Sequence, residues 1–288
     1  MAFIEIQGIG KSFPAAGGTR HVLRDVSLSV EHGEFVSIVG AMGSGKSTLL
    51  SLLAGLTTPD AGTVSIGGEP TRGVRRDAAF VFQNYSLLPW FTALENVRLA
   101  VEATFPEMTR EEQRVRATST LEKVGLGNAL DRRPGQLSGG MRQRVAIARA
   151  FATTPKVLFL DEPFGALDAL TRETLQQELV RLCGEGEQAM TTVMITNNVE
   201  EALLLSDRIV PMIPGPPATL GRPIPVELSR PRSLAQLAHD EQATLARAHV
   251  VSTLTASVRV ARTLSGSSGD TRSRTASARL PEAAEEIR

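Results

Sequence analysis

Residues 40–48, Gly40-Ala41-Met42-Gly43-Ser44-Gly45-Lys46-Ser47-Thr48, constrain this chain more than any other segment, because they dictate a strand, a turn and a helix in that order. The run fits G-x-x-x-x-G-K-S/T, a loop whose backbone wraps phosphate. Before it, Glu34-Phe35-Val36-Ser37-Ile38-Val39 is a short β-branched and aromatic run that reads as a buried strand. After it, residues 47–56 carry leucine and alanine with no breaker before Gly55 and read as a helix. The glycines permit a tight turn, several N–H groups then face one anion, and the helix N-terminus adds its partial positive charge. Residues Gly40 to Thr48 are therefore expected to cradle phosphates, with Lys46 reaching the outer ones and Ser47 offering its hydroxyl to Mg2+. A Gly/Ser-rich turn with a chance lysine is the alternative, and it leaves the flanking strand and helix unexplained. The expected ligand is a nucleoside triphosphate.

The 288 residues allow one large domain, or one domain with a smaller appendage. Lysine plus arginine and aspartate plus glutamate both number 31, so no global field draws the chain to nucleic acid or an anionic membrane. A single cysteine, Cys183, excludes an internal disulfide and points to a reducing compartment. No stretch approaches the roughly twenty apolar residues of a membrane-spanning helix. The N-terminus alternates apolar and polar residues and has no signal-peptide pattern, so any membrane role is expected to come through a partner.

Short strands are expected at 3–7, 26–30, 35–39, 64–66, 79–82, 157–160 and 192–195. Between about 94 and 129 the pattern is helical throughout, and 141–152 is a further helix. Strands alternating with helices around a phosphate loop imply an α/β core with a helical insertion. From Pro211 to Pro225 six prolines mark an irregular or extended stretch. A helix over 233–248 follows, and from Leu264 the Ser, Gly and Arg-rich sequence is expected to be disordered, a solvated tail rather than a contact for lipid headgroups or an acidic partner.

Two further motifs carry chemistry. Val157-Leu158-Phe159-Leu160-Asp161-Glu162 sets paired carboxylates at the end of an apolar strand, suited to holding Mg2+ with Asp161 and polarising water with Glu162. An acidic loop after a buried strand is the plainer reading. Leu137-Ser138-Gly139-Gly140-Met141 opens a second helix with a Gly/Ser turn, hence a second anion-binding N-terminus, or simply a helix capped by Ser138. One triphosphate does not need two cradles from one chain, whereas two copies related by a two-fold axis can complete each other's sites.

In their order, these motifs resemble the ABC transporter ATPases over roughly residues 3–230. GAMGSGKST is similar to the Walker A loop, LSGGMRQR at 137–144 to the family signature, and FLDEPFGALD at 159–168 to the Walker B strand and its following loop. The resemblance implies an α/β P-loop core with an N-terminal antiparallel β subdomain and a helical subdomain at about 84–150 that carries the signature. Residues 1–232 would form this domain and 233–288 a C-terminal extension. It further implies that Gln83 senses Mg2+ and the attacking water, that Phe13 stacks on adenine, and that Ser138, Gly139 and Gly140 bind the ATP of a second subunit. A surface glutamine and a core aromatic are the ordinary alternatives for Gln83 and Phe13.

Asn197 departs from the pattern, since most family members carry a histidine there that contacts the γ-phosphate. Asparagine can donate a hydrogen bond but carries no charge. Asn197 and Asn198 can equally be read as a helix N-cap.

Leu87-Leu88-Pro89-Trp90 resembles the nitrate, sulfonate and taurine importer branch, where it would face a membrane subunit; a core turn is the alternative. MITNNVEEALLLSDRIVPMIPGPPATLGRP resembles the nitrate, nitrite and cyanate ATPases more particularly. The resemblance thus implies ATP and Mg2+ as cofactors, a homo- or heterodimeric ATPase partner, an integral membrane permease, an extracytoplasmic solute-binding protein engaged indirectly, and a peripheral place on the cytoplasmic face of the membrane. A sulfonate or taurine importer ATPase and a hydrolysis-impaired regulatory subunit stand as alternatives. No nucleic-acid partner is expected.

Overall fold

Three short apolar runs, Phe35–Val39, Val157–Asp161 and Thr191–Thr196, lie side by side and buried in a computed structural model of the protein, which describes residues 2–165, 167–184 and 189–266. In chain order the elements are β1 (Ile4–Ala15), β2 (Gly18–Val30), β3 (Phe35–Val39), α1 (Lys46–Leu53), β4 (Ala61–Ile66), β5 (Glu69–Pro70) and β6 (Ala78–Val81). Next come α2 (Ala93–Thr104), α3 (Arg110–Lys123), a 3-10 turn at Pro134–Gln136, α4 (Gly139–Phe151), β7 (Val157–Asp161), α5 (Ala169–Cys183) and β8 (Thr191–Thr196). The chain continues through α6 (Val199–Leu205), β9 (Arg208–Ile213), β10 (Thr219–Leu220), β11 (Ile224–Pro225), α7 (Leu234–His239) and α8 (Glu241–Gly266).

The larger sheet has the order β10-β9-β3-β8-β7-β6, with β11 also on β9. Strands β3, β6, β7, β8 and β9 are mutually parallel, which accounts for their nearly continuous apolar sequences: both faces are covered. Alternate residues of β7 serve the two faces. Val157 and Phe159 pack with α1 and the smaller sheet, Leu158 and Leu160 with the helices of the opposite side. The smaller sheet is antiparallel, ordered β2-β1-β4-β5, and lies over α1.

Strands β1 and β2 run much further than the alternation at 3–7 and 26–30 predicts. Their distal halves are exposed on both faces, so no apolar period marks them. The helical pattern of 94–129 is also two helices, not one. Pro106 lies in the break, and each helix opens on a reciprocal capping box, Thr92 with Glu95 and Thr109 with Glu112. Strand β9 runs straight through Pro211. The proline pairs with Val39 at the last rung of the β3 ladder and falls between the short pairings of β11 and β10, where its missing N–H interrupts nothing.

The helix expected over 233–248 divides at Asp240 into α7 and α8, whose Leu237, Ala243 and Val250 join the core beneath the large sheet. Helix α8 takes in residues 264–266; residues 267–288, the rest of the expected disordered tail, lie outside the described residues. Among the described residues no helix is long and apolar enough to cross a membrane.

Buried Asn96 holds the turn ahead of α2. Its amide nitrogen donates to the carbonyls of Leu88, Phe91 and Thr92 at 3.2, 3.2 and 2.9 Å, and its oxygen accepts from the Leu88 N–H at 2.8 Å. Asn96→Ala strips partners from several backbone groups at once and is expected to cost about 2–4 kcal/mol, measured by urea unfolding. An unchanged midpoint would show that the turn is held by something else.

Candidate active site

The phosphate loop leaves the carboxyl end of β3, and parallel pairing brings the neighbouring strand ends level with it. Val39 pairs with Thr196, Asp161 with Ile195, and Val81 with Leu160. Glu162, Asn197 and Gln83 therefore emerge one or two residues beyond their strands at one edge of the sheet, where open α/β folds bind ligands. Within the loop Gly43 and Gly45 take φ of +75° and +98°. Gly40 passes so close to β9 that a Cβ would lie 2.7 Å from that of Met212.

A cleft of about 560 Å³ opens over this edge, walled by Phe13, Met42, Lys46, Ser47, Gln83 and Glu162 with the tip of the β1–β2 hairpin. Lys46 is buried to 4% exposure. Its ammonium donates to the carbonyls of Gly40 at 2.9 Å and Ala41 at 3.0 Å and lies 3.6 Å from the Glu162 carboxylate. Burial lowers the Lys46 pKa, and Glu162 and then Asp161 act against that shift. Ser47 Oγ donates to Asp161 Oδ1 at 3.2 Å. Burial raises the Asp161 pKa, the hydrogen bond from Ser47 opposes it, and the Glu162 charge adds to it. Gln83 Nε2 donates to Glu162 Oε2 at 3.2 Å. The site is an open cleft with a buried ammonium among opposed charges, and its side-chain donors are satisfied within the protein.

Glu162 sits on strained backbone, with φ of +43° and its N–H donating to the Ile195 carbonyl at 3.0 Å. A non-glycine residue in the left-handed region costs on the order of 1–3 kcal/mol and is found most often where geometry serves function. The adjacent Ser47 hydroxyl and Asp161 carboxylate are hard oxygen donors of the kind Mg2+ takes. Among the described residues no group of three or more His, Cys, Asp or Glu forms a metal cage, so most ligands of an ion here would come from phosphate and water.

Position removes one alternative at each of two places. Phe13 is 39% exposed on the cleft wall, with Lys11 Nζ 5.4 Å from its ring centre, and is not a core aromatic. Asn198, not Asn197, caps α6: its Oδ1 accepts from the N–H groups of Glu200 and Glu201 at 2.9 and 3.4 Å. Asn197 is exposed at the end of β8 and makes no hydrogen bond among the described residues.

Ser138, Gly139 and Gly140 do not line the cleft. Ser138 caps α4, its hydroxyl accepting from Met141 N–H at 3.2 Å, and a Cβ on Gly140 would lie 2.4 Å from Thr171 Cγ2, so α4 meets α5 closely here. Within a single chain this turn thus stands apart from the cleft. Trp90 is 63% exposed and belongs to a surface turn. Sequence reading missed Arg20 and Val22 on the cleft wall and buried Glu201, which accepts from Thr196 Oγ1 at 2.7 Å. The hairpin residues carry no pattern that could have signalled them; Glu201 shows itself only as the third residue of α6.

Comparison with known proteins agrees with this geometry. A model of the family described as ABC transporter matches residues 23–165. The nitrate import ATP-binding protein NrtD of Synechococcus elongatus is 48% identical over 238 residues, 83% of this chain and 86% of the relative. The bicarbonate transport ATP-binding protein CmpC of the same organism is also 48% identical over 82% of this chain, which spans 36% of CmpC's length. Among solved structures, the dimeric post-hydrolysis state of the ATP-binding cassette MJ0796 bound to ADP and Pi has a TM-score of 0.71 and 34% identity, covering 78% of this chain and 100% of that one.

Lys46→Ala is expected to weaken nucleotide binding at least 100-fold, about 2.7 kcal/mol, because the buried cation opposing the phosphates is lost. Titration with a fluorescent ATP analogue reads the change; affinity near that of the native chain would remove the phosphate-loop assignment.

Proposed function

The chain belongs to the ABC transporter ATP-binding family, and from that premise we propose that it binds and hydrolyses ATP to energise import of nitrate or a similar small oxyanion, bicarbonate included. The observation that carries the ATPase reading is the meeting of Lys46, Ser47, Gln83 and Glu162 on one cleft at the strand ends, with Asp161 bonded to Ser47. Similarity to a nitrate and a bicarbonate transport protein supports the anion: both ions are small, planar and singly charged. The permease and solute-binding protein would select it, since this subunit would meet only ATP, its ATPase partner and the permease.

In this reading Phe13 stacks on adenine, and the N–H groups from Gly40 to Thr48 hold the phosphates. Lys46 leaves the Gly40 and Ala41 carbonyls to meet the outer phosphates. Ser47, Gln83 and Asp161 would hold Mg2+, which when bound neutralises phosphate charge. Glu162 takes a proton from water as its oxygen bonds to the γ-phosphorus and the bond to the ADP oxygen breaks. Gln83 keeps the Glu162 carboxylate aimed. The Ser138-Gly139-Gly140 turn completes the site of a second subunit, homo- or heterodimeric. Exposed Trp90, on the turn fixed by Asn96, docks on the permease at the cytoplasmic face of the membrane. Residues 1–232 make up the nucleotide-binding domain and 233–288 its C-terminal extension.

The assembled transporter is the test. Nitrate or bicarbonate, with its binding protein, is expected to stimulate ATP turnover, and Glu162→Gln to reduce turnover at least 100-fold while ATP affinity stays within a few-fold and an ATP-bound dimer accumulates. Stimulation by a sulfonate and not by either oxyanion would shift the substrate class. A Glu162→Gln chain that hydrolyses normally would displace the proposed base.

Asn197 favours a second reading, of a regulatory subunit that closes on ATP and hydrolyses little, because its exposed amide offers no positive charge. We favour a site adapted to asparagine, since Gln83, Asp161, Glu162 and the 137–144 signature are all intact. Asn197→His should then leave basal turnover unchanged or lower. A tenfold gain, about 1.4 kcal/mol of barrier, at constant ATP affinity would support the regulatory reading.

A further inference from the structure

The amino ends of the parallel strands carry a second polar cavity, at the pole of the sheet opposite the phosphate loop. It measures about 520 Å³ and lies between the last turns of α5, Leu204 of α6 and the segment 230–232. A neighbouring cavity of about 310 Å³ shares Val180, Gly184 and Arg230 with it and reaches Phe35, Met190 and Asp207, where β3, β8 and β9 begin.

Among the described residues, the polar side chains of the larger cavity are Gln177, Arg181, Arg230 and Arg232, and no carboxylate lines it. These arginines are not equivalent. Arg232 is spent on structure, donating to the carbonyls of Leu203, Ser206, Val226 and Leu228. Among the described residues no carboxylate is bonded to it, so its charge acts on the cavity as a fixed field. Burial, and after it the charge of Arg230, brings its pKa down to about 10. Arg230 uses only Nη2, on the Leu205 carbonyl at 2.9 Å and Asp207 Oδ1 at 2.7 Å, leaving Nε and Nη1 without partners among the described residues. Arg181 and Gln177, one helical turn apart on α5, make no hydrogen bond or ion pair among the described residues. Among the described residues Asp207 is the one carboxylate hydrogen-bonded to any of these three cations, and its second oxygen is taken by the Phe35 N–H at 2.9 Å.

Two free guanidinium edges from different elements, an amide beside them and a third cation behind amount to a site short of negative charge. The apolar walls, Leu204 and Pro231, suit a carbon skeleton rather than a bare ion, and the volume is that of a small-metabolite pocket. We propose that this cavity binds a small organic dianion, a dicarboxylate or a phosphate monoester, held by Arg181 and Arg230 so that it ties α5 to the segment following β11. Such a ligand is distinct from ATP, and the site stands whether or not the transported anion is correctly assigned.

Calorimetric titration of the full chain, with the nucleotide cleft saturated by ADP and ionic strength held constant, tests this. Succinate and glycerol 3-phosphate are the two probes, so the arms separate carboxylate from phosphate ligands, and nitrate is the monoanion control. At least one dianion is expected to bind with a Kd below about 1 mM and tenfold or more tighter than nitrate. Arg181→Gln, an exposed substitution that leaves folding intact, should weaken it at least tenfold. Arg222→Gln, at a different surface cavity, should not. Absence of binding by both dianions at 10-fold excess over that Kd, or binding that Arg181→Gln leaves unchanged, would overturn the proposal.

Discussion

The parallel register of β3, β8 and β7 is the constraint on which the molecule depends. Each strand contributes only five or six residues, yet pairing of Val39 with Thr196 and of Asp161 with Ile195 ends all three at one level. Because parallel strands are covered on both faces, they can meet solvent only at their ends, and here the carboxyl ends lie level with one another. Lys46, Glu162 and Asn197 come from segments more than thirty residues apart and need no further device to converge. The two faces divide the labour. The antiparallel sheet and α1 support the loop from one side, while helices α2 to α6 keep the other side dry.

Electrostatics inside the cleft follow from the same covering. A buried ammonium held by two carbonyls and a carboxylate is costly unless a strong counter-charge arrives. Burial drives Lys46 towards losing its proton and Asp161 towards gaining one. Both shifts describe a site whose charged forms are held back by desolvation. In the proposed reading, triphosphate with a divalent ion would supply the missing charge of each sign, so binding and reorganisation of these side chains would be one event.

What sequence revealed, and what it hid, divides by burial. The phosphate loop, the strand before it and the Asp161-Glu162 pair were legible because glycine placement and continuous apolar runs leave a local trace. The hairpin arms were not, since residues 10–22 are mostly half-exposed or exposed and obey no period. The break between α2 and α3 was legible in principle: Thr92 and Glu95, then Thr109 and Glu112, have capping-box spacing, and Pro106 lies between them. Pro211 left irregular and extended readings both open, because a proline at the last rung of a ladder obeys rules that composition does not show. Which asparagine caps α6 was likewise a matter of three-dimensional direction, open to Asn197 and Asn198 alike until the chain is folded.

The backbone at Glu162 has a consequence for how this position can evolve. With φ of +43°, the residue occupies a region that β-branched side chains enter only at high cost, and that glycine and asparagine enter readily. A population drifting under selection for folding alone would be drawn toward those two residues. Neither glycine nor asparagine could take a proton from water, so the proposed base would have to be kept against the backbone's own preference, a cost that no buried leucine around it carries.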